Sequence, residues 1–213
     1  MYTPSHFAVD DIATLHALIN AQPLATLVTH SAAGLNANHI PLHLDTSAGE
    51  YGVLRGHIAR ANRLWQEPVQ DLQALAIFQG ENTYISPAWY PSKQATGKGV
   101  PTWNYVSVHA AGPLRFIDDS AWLRTHLDIM TNRHEASMPA PWRMADAPDD
   151  YIDKLLGVIV GLEMPVQRLE GKWKLSQNRP AEDQLGVVTA LRTQGQAMSL
   201  QMADLMENTV TKK

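Results

Sequence analysis

The sequence predicts an α+β fold: a small antiparallel β-barrel with helices at its edges and a helical tail. Three observations predict it. Six or so short apolar runs are separated by turn residues at hairpin spacing. The strand–helix alternation of a doubly wound parallel sheet is absent. From Ala181 onward the pattern is helical.

The elements follow in chain order. Asp10 is placed to cap a helix from Asp11 to about Asn20, with Ile12, Leu15 and Ile19 on one face, and Pro23 ends it. Leu24 to His30 is a short β-branched run, so a strand. A turn at Ala33-Gly34 leads into a second strand, Leu35 to Leu44, and Ala48-Gly49 marks the next turn. Tyr51 to Ile58 is a third strand. A short helix follows from about Ala61 to Gln66, stopped by Pro68. Leu72 to Gln79 is a buried-type strand that Gly80-Glu81-Asn82 turns into Thr83 to Ser86. Pro87 to Pro101, rich in proline and glycine, reads as a long functional loop.

Trp103 to Phe116 is a strand kinked at Gly112-Pro113. Asp118 or Asp119 caps a helix running to about Arg133, with Trp122, Leu123, Leu127 and Met130 inward. Pro148 starts a short helix with Asp149 and Asp150 in its first turn, and Gly157 ends it. Val158 to Leu169 and Trp173 to Leu175 form a hairpin across Glu170-Gly171. In the tail, Met198, Met202 and Met206 recur every four residues and form an apolar stripe with Leu205. The chain reads as a single domain over residues 1–213 with a helical extension over about 181–210.

Composition narrows the function. The chain has 213 residues, 45% of them hydrophobic and 18% charged, which suits a globular domain. The net charge is −4, so there is no general attraction to a phosphate backbone. No block of like charge supplies a local one, since Lys212 and Lys213 only end the tail, and direct DNA binding is doubtful. The absence of cysteine excludes disulfides, iron–sulfur clusters, cysteine-ligated zinc and thiol catalysis. The start MYTPSHFAVDD has neither a basic nor an apolar run. The longest clean apolar stretch, Leu155 to Leu162, is too short for a bilayer. The expectation is a cytoplasmic protein with no membrane contact.

Several catalytic patterns fail. Gly97-Lys98-Gly99 lacks the upstream glycine of a phosphate loop, and Gly99 stands where Ser or Thr would hold magnesium. His134-Glu135 begins a zincin pattern, but Met138 takes the second histidine position. No nucleophile elbow and no helix-turn-helix with a basic second helix is present. His39 and His43 are four apart with Pro41 between them, and packing explains them better than metal.

Three segments remain chemically dense. Leu54 to Asn62 carries Arg55, His57, Arg60 and Asn62 where a strand meets a predicted helix start, a place that suits a phosphate. The stretch from Tyr84 and Ser86 to Trp103, Asn104 and Tyr105 interleaves aromatics with prolines, which suits a flat ring. Lys172 to Pro180 is locally basic and rich in donors, with Lys174, Ser176 and Gln177 at its centre. Solvated arginines, a self-pinned loop and a plain strand end are the ordinary alternatives for the three.

Six ordered runs, MYTPSHF, NHIPLHL, GHIARAN, FQGENTYISPAWY, VPTWNYVSVHAAG and KLSQNRP, resemble the PaiB family over residues 1 to about 190. These are FMN-binding proteins named as negative transcriptional regulators. The resemblance implies a six-stranded antiparallel split β-barrel, the FMN-binding split barrel, working as a homodimer with flavin at the subunit interface. It implies FMN as cofactor, held by residues of the three segments above, and a repressor-like regulatory role. The sequence departs from the family's common form at Arg63, where proline is frequent. An FMN-dependent oxidoreductase is the alternative, and a heme-handling barrel with His109 or His57 on iron is a second. No residue is assigned as a general acid or base.

Overall fold

The computed structural model describes residues 1–31, 34–66 and 73–210. Ala33, Pro68, Leu72, Lys212 and Lys213, each used in the reading above, lie outside the described residues. The described chain contains β1 (Ala8–Val9), α1 (Ile12–Ala21), β2 (Leu24–Ser31), β3 (Gly34–Pro41), β4 (His43–Asp45) and β5 (Val53–Ala59). Then come β6 (Gln73–Ile85), α2 (Pro91–Thr96), β7 (Thr102–Pro113), β8 (Arg115–Ile117), α3 (Ser120–Glu135) and α4 (Asp149–Leu156). The last are β9 (Ile159–Pro165), β10 (Arg168–Lys174), α5 (Ala181–Gln194) and α6 (Ala197–Val210).

The α+β class is as expected. The strand count is not: ten strands form one sheet ordered β1-β10-β7-β6-β2-β3 and another ordered β4-β5-β9-β8. Two of the extra strands arise where one expected strand is cut and handed to the other sheet, and β1 is a strand the sequence reading did not expect. Leu35 to Leu44 is cut at Leu42, which is buried and whose N–H bonds the Pro23 carbonyl instead of a ladder partner. Trp103 to Phe116 is cut at buried Leu114, just past the Gly112-Pro113 kink. The expected hairpin across Glu170-Gly171 does not form. The chain changes sheet at Val166 and Gln167, whose N–H groups bond the carbonyls of Gly52 and Ala111, and Glu170-Gly171 lies inside β10.

Other local corrections have equally plain causes. The α1 cap is Asp11, which accepts the Thr14 N–H at 2.9 Å, and Ile12 faces solvent. Tyr51 precedes β5, which starts at Val53. The helix expected over 61–66 is a single 3-10 turn, Arg63–Gln66. Gly80 is no turn: β6 runs straight through it, and a Cβ there would meet Leu18 Cδ1 at 2.9 Å. The glycine marks close packing. The stretch Pro87 to Pro101 is partly ordered into a 3-10 turn, Pro87–Trp89, and α2.

Two compact units divide the chain, with α1, β6, β7 and β10 contributing residues to both. The first comprises residues 1–18, 79–108 and those from 170 onward. Its core includes Leu15, Ile85, Tyr90, Val106, Leu175, Val187 and Leu191. Asp183, fully buried in α5, accepts the Ser92 N–H and hydroxyl at 3.0 and 2.7 Å, which fixes the start of α2. In α6 the methionine stripe is real at Met202 and Met206, both buried; Met198 is half exposed in the first turn.

The second unit comprises residues 19–78 and 109–169. It holds the β2–β3 hairpin, the sheet β4-β5-β9-β8, and α3 and α4, whose Leu123, Ile152 and Leu156 pack with Met144. Asp119 caps α3 by accepting the Trp122 N–H at 2.7 Å. Pro148 and Gly157 bound α4 as expected. Gly161 on β9 leaves room for the Trp122 ring: a Cβ there would lie 2.4 Å from Trp122 Cζ3 and 3.1 Å from the Ile117 carbonyl oxygen. Gly161→Ala is expected to push Trp122 off β9 and destabilise the fold by about 1–3 kcal/mol. Urea unfolding followed by tryptophan fluorescence measures this; an unchanged midpoint would show that Trp122 moves freely.

Candidate functional site

In the second unit the dense segment lies on β5. Arg55 and His57 are two apart, so a strand sends both to one face. The register sets His43 of β4 opposite Arg55. Arg55 is shared between Asp45, 2.7 Å from Nη1, and Glu163, 2.7 Å from Nε. His57 Nδ1 lies 3.4 Å from Nε2 of His126 on α3. The His126 ring stacks on Trp122 with centroids 5.1 Å apart and planes 17° apart. His43 Nδ1 accepts from Arg133 at 3.3 Å.

Arg60 is committed within the chain. Its Nη1 and Nη2 donate to both carboxylate oxygens of Asp118, its Nε to the Gly157 carbonyl at 2.9 Å, and Nη2 again to the Ile159 carbonyl at 3.2 Å. This pairing holds the Asp118 carboxyl below the usual carboxylate range. Asn62 donates to Asn38 Oδ1 at 2.8 Å and accepts the Leu64 N–H at 3.0 Å, so it caps the 3-10 turn. With one such turn in place of a helix, no dipole of useful length stands beside Arg60.

The remaining candidates lie in the first unit. Tyr84 on β6 and Trp103 on β7 meet edge to face, centroids 6.2 Å apart, and both are about half exposed. Ser86 caps the turn at Pro87 by accepting the Ala88 N–H. Asn104 and Ser176 are buried and meet side chain to side chain at 3.1 Å, with the Asn104 amide also 3.4 Å from Met206 Sδ. Ser176 adopts a left-handed backbone, φ 66°, which costs about 1 kcal/mol or more for a non-glycine residue. Gln177 locks this turn: its Oε1 accepts the Leu175 N–H at 2.7 Å and its Nε2 donates to the Trp173 carbonyl at 2.6 Å.

The turn fixes the end of β10, where Lys174 donates to Thr102 Oγ1 at 2.7 Å and to the Trp103 carbonyl. Lys172 opens the third dense segment of the sequence but was not among the residues expected to bind. It is only 7% exposed, donates to the Tyr2 carbonyl at 3.0 Å, and sits 5.2 Å from the Tyr105 ring centroid. Its two-residue spacing from Lys174 puts both on one face of β10, which the turn expected at Glu170-Gly171 did not allow for. No carboxylate among the described residues pairs with Lys172 or Lys174. Burial, then Lys172 and Arg179, push the Lys174 ammonium below its ordinary pKa.

His126 also escaped the sequence reading. Burial chiefly, then its neighbours His57, His43 and Arg55, lower its pKa to about 4. A pKa lowered on folding means that the unfolded chain takes up the proton first. Its contribution is therefore intact above about pH 6.5 and is lost as pH falls toward 4. Between pH 7.5 and 5 the wild type is expected to lose about 2 kcal/mol through this group. His126→Phe, which keeps the stack on Trp122, is expected to lose that much less; denaturant melts at the two pH values measure it, and identical losses would assign the acid sensitivity elsewhere.

Comparison with known proteins gives these sites a context. The chain is 30% identical over 215 residues to the Bacillus subtilis protein named Protease synthase and sporulation protein PAI 2, covering all of both chains. It is 33% identical to an uncharacterized protein of Emericella nidulans, covering 92% of each. Among solved structures, the FAD and heme binding protein of Mycobacterium smegmatis shares the fold with a TM-score of 0.61 at 15% identity, over 84% of this chain and 78% of that one. The flavocytochrome Anf3 of Azotobacter vinelandii does so with 0.56 at 15%, over 78% and 69%. Among the described residues no helix is long and apolar enough to cross a membrane. The family described as "Putative FMN-binding domain" matches residues 1–168. The resemblance carried by the six sequence runs is thus borne out: the chain belongs to this FMN-binding domain family, with a PaiB-type protein among its relatives.

Proposed function

We propose that the protein binds FMN on the first unit's face made by Lys172, Lys174, Trp103 and Tyr105, and acts as a flavin-dependent regulator in a homodimer. One observation carries the reading: two lysines, one of them buried, stand beside aromatic rings without a carboxylate. A buried cation is costly unless an anion or a set of acceptors meets it. A ligand that is at once anionic and flat satisfies both features, and FMN is such a ligand. Lys172 and Lys174 would hold negative charge, while Trp103, Tyr84 and Tyr105 would face the ring. Asn104, Ser176 and Gln177 set the turn that aims Lys174, and Ser86 fixes the chain after Tyr84. Bound FMN supplies one- and two-electron transfer; the chain's part is to orient it and set its charge environment.

In the second unit Arg55 and Arg60 already have carboxylate partners, so they and Asn62 brace the strand ends, and His57 packs on His126. The homodimer is proposed because Trp103 and Tyr84 are exposed, and a flat ligand lying there keeps one face wet until a second copy covers it. The regulatory role rests on the full-length relation to the PAI 2 protein. With a net charge of −4, action through a flavin-dependent partner suits the chain better than operator binding.

Fluorescence titration of the apo-protein with FMN tests the site. Lys174→Ala and Lys172→Ala are each expected to weaken binding about ten- to a hundredfold, the loss of a charged hydrogen bond. Arg60→Ala is expected to lower stability through Asp118 and leave the dissociation constant unchanged. The reverse pattern would move the phosphate to the second unit. Sedimentation should find a dimer. Saturable NAD(P)H oxidation would make the protein an oxidoreductase, and a Soret band a heme protein.

A further inference from the structure

The first unit contains one strained turn whose support reaches into the tail helix. Among the described residues Ser176 is the one non-glycine with a positive φ, 66°. Its hydroxyl meets the Asn104 side chain, 3.1 Å from both Oδ1 and Nδ2. A hydroxyl can serve either atom, so this contact alone leaves the amide free to point both ways. Met206 of α6 removes the choice. Its Sδ lies 3.4 Å from Asn104 Nδ2, and a thioether accepts but never donates. The amide NH2 is therefore drawn to the sulfur, and Oδ1 is left to accept the Ser176 hydroxyl. Asn104 and Met206 are fully buried and Ser176 nearly so, and a buried N–H that loses its acceptor is costly.

The helix that presents Met206 is held from both sides. Met202, Ala203 and Met206 are buried on its inner face. On its outer face Asp204 and Glu207 accept from Arg192 of α5. At the other end of the chain of contacts stands Lys174, which donates to Thr102 Oγ1 and the Trp103 carbonyl. These two residues directly precede Asn104 on β7. Asn104 is thus tied to Lys174 twice, along β7 and through the turn.

We infer that Met206 is a positioning residue of the flavin site: it orients Asn104, Asn104 holds Ser176 left-handed, and the turn so held aims Lys174 at the ligand. This role rests on Lys174 holding FMN, as proposed above. A leucine would fill the volume of Met206 equally well and would lack only the acceptor. Coupling of this kind is reciprocal: if docked α6 tightens FMN, bound FMN holds α6 down by the same factor. The tail helix then reports whether the site is occupied, and a flavin-dependent regulator needs such a segment.

Fluorescence titration of the full chain with FMN tests this. Met206→Leu conserves volume and deletes the acceptor. It is expected to raise the dissociation constant about three- to tenfold. In a Ser176→Gly background the turn needs no such support, because glycine adopts the left-handed region freely. There Met206→Leu is expected to change the dissociation constant no further, the non-additivity of a coupled pair. An equal loss in both backgrounds would reduce Met206 to packing and overturn the inference. Backbone hydrogen exchange is the second readout, usable should Met206→Leu not fold. FMN is expected to slow exchange across α6 in the wild type and to slow it less in Ser176→Gly. Exchange in α6 that saturating FMN leaves unchanged would overturn the coupling. Lys174→Ala separates this role from the site itself. A dissociation constant that responds to Lys174→Ala and ignores Met206→Leu overturns the role of Met206 alone. One that ignores Lys174→Ala moves FMN elsewhere, and the role of Met206 falls with the site.

Discussion

An ammonium or guanidinium group withdrawn from water must be met by acceptors, and this constraint orders both units. In the second unit the chain meets it from within. Arg55 lies between Asp45 and Glu163, on the strands flanking β5, and so ties three strands of one sheet together. Arg60 spans Asp118, Gly157 and Ile159, fastening the end of β5 to the entry of α3 and the start of β9. With its ends fixed, β5 holds His57 against His126. In the first unit the same demand is met only in part. Lys172 and Lys174 find carbonyls, a hydroxyl and ring faces, which satisfy hydrogen bonds and leave the charge uncancelled.

In the proposed reading, that difference separates a brace from a binding group. Arginine in a carboxylate fork is a finished contact, and its planar donors suit that end. A lysine held by neutral oxygens keeps its full field and retains donors for another partner. Residue type alone does not distinguish the two: Arg60 and Lys174 are equally basic in sequence, and each stands beside a strand end. What distinguishes them is whether a carboxylate arrives from elsewhere in the chain. Asp118 is 58 residues from Arg60.

The helices were legible because their signals are local. Asp119 at the start of α3, Pro148 and Gly157 around α4, and the run from Ala181 each act within a turn or two. The sheets were legible as strands and illegible as sheets. A strand changes sheet at one buried residue, Leu42 or Leu114, and nothing in an apolar run marks which leucine turns aside. Gly80 and the pair Glu170-Gly171 read as turns because glycine permits turns, whereas Gly80 admits Leu18 and the pair continues β10. The misplaced turn then left Lys172 in a basic segment without a face, since its spacing from Lys174 has meaning only on a strand. The candidate residues Trp103, Asn104, Tyr105 and Lys174 were found in the chemically dense segments, and the structure gathers them with Ser176 and Gln177 in one unit.

His126 was legible in a way that was not used. On α3 it lies three residues after Leu123 and four before Met130, both buried, so it occupies the apolar stripe itself. A polar residue in such a stripe must find a partner, stay neutral, or have a ligand. His126 stays neutral, as its lowered pKa requires, and Trp122 one turn earlier stacks on its ring. One nitrogen finds His57; the other has no hydrogen-bond partner among the described residues. A leucine at this position would fill the stripe without leaving a polar atom unmet. What the imidazole adds to the stripe is the contact with His57, which a hydrocarbon would not make. The first unit presents a different chemistry: open aromatic faces and uncancelled ammonium groups, instead of a half-open pocket lined by His43, Arg55, Trp122, Thr125, His126 and Ile129. In the reading proposed above, the flat anion goes to the first unit, where the ammonium charge is left uncancelled.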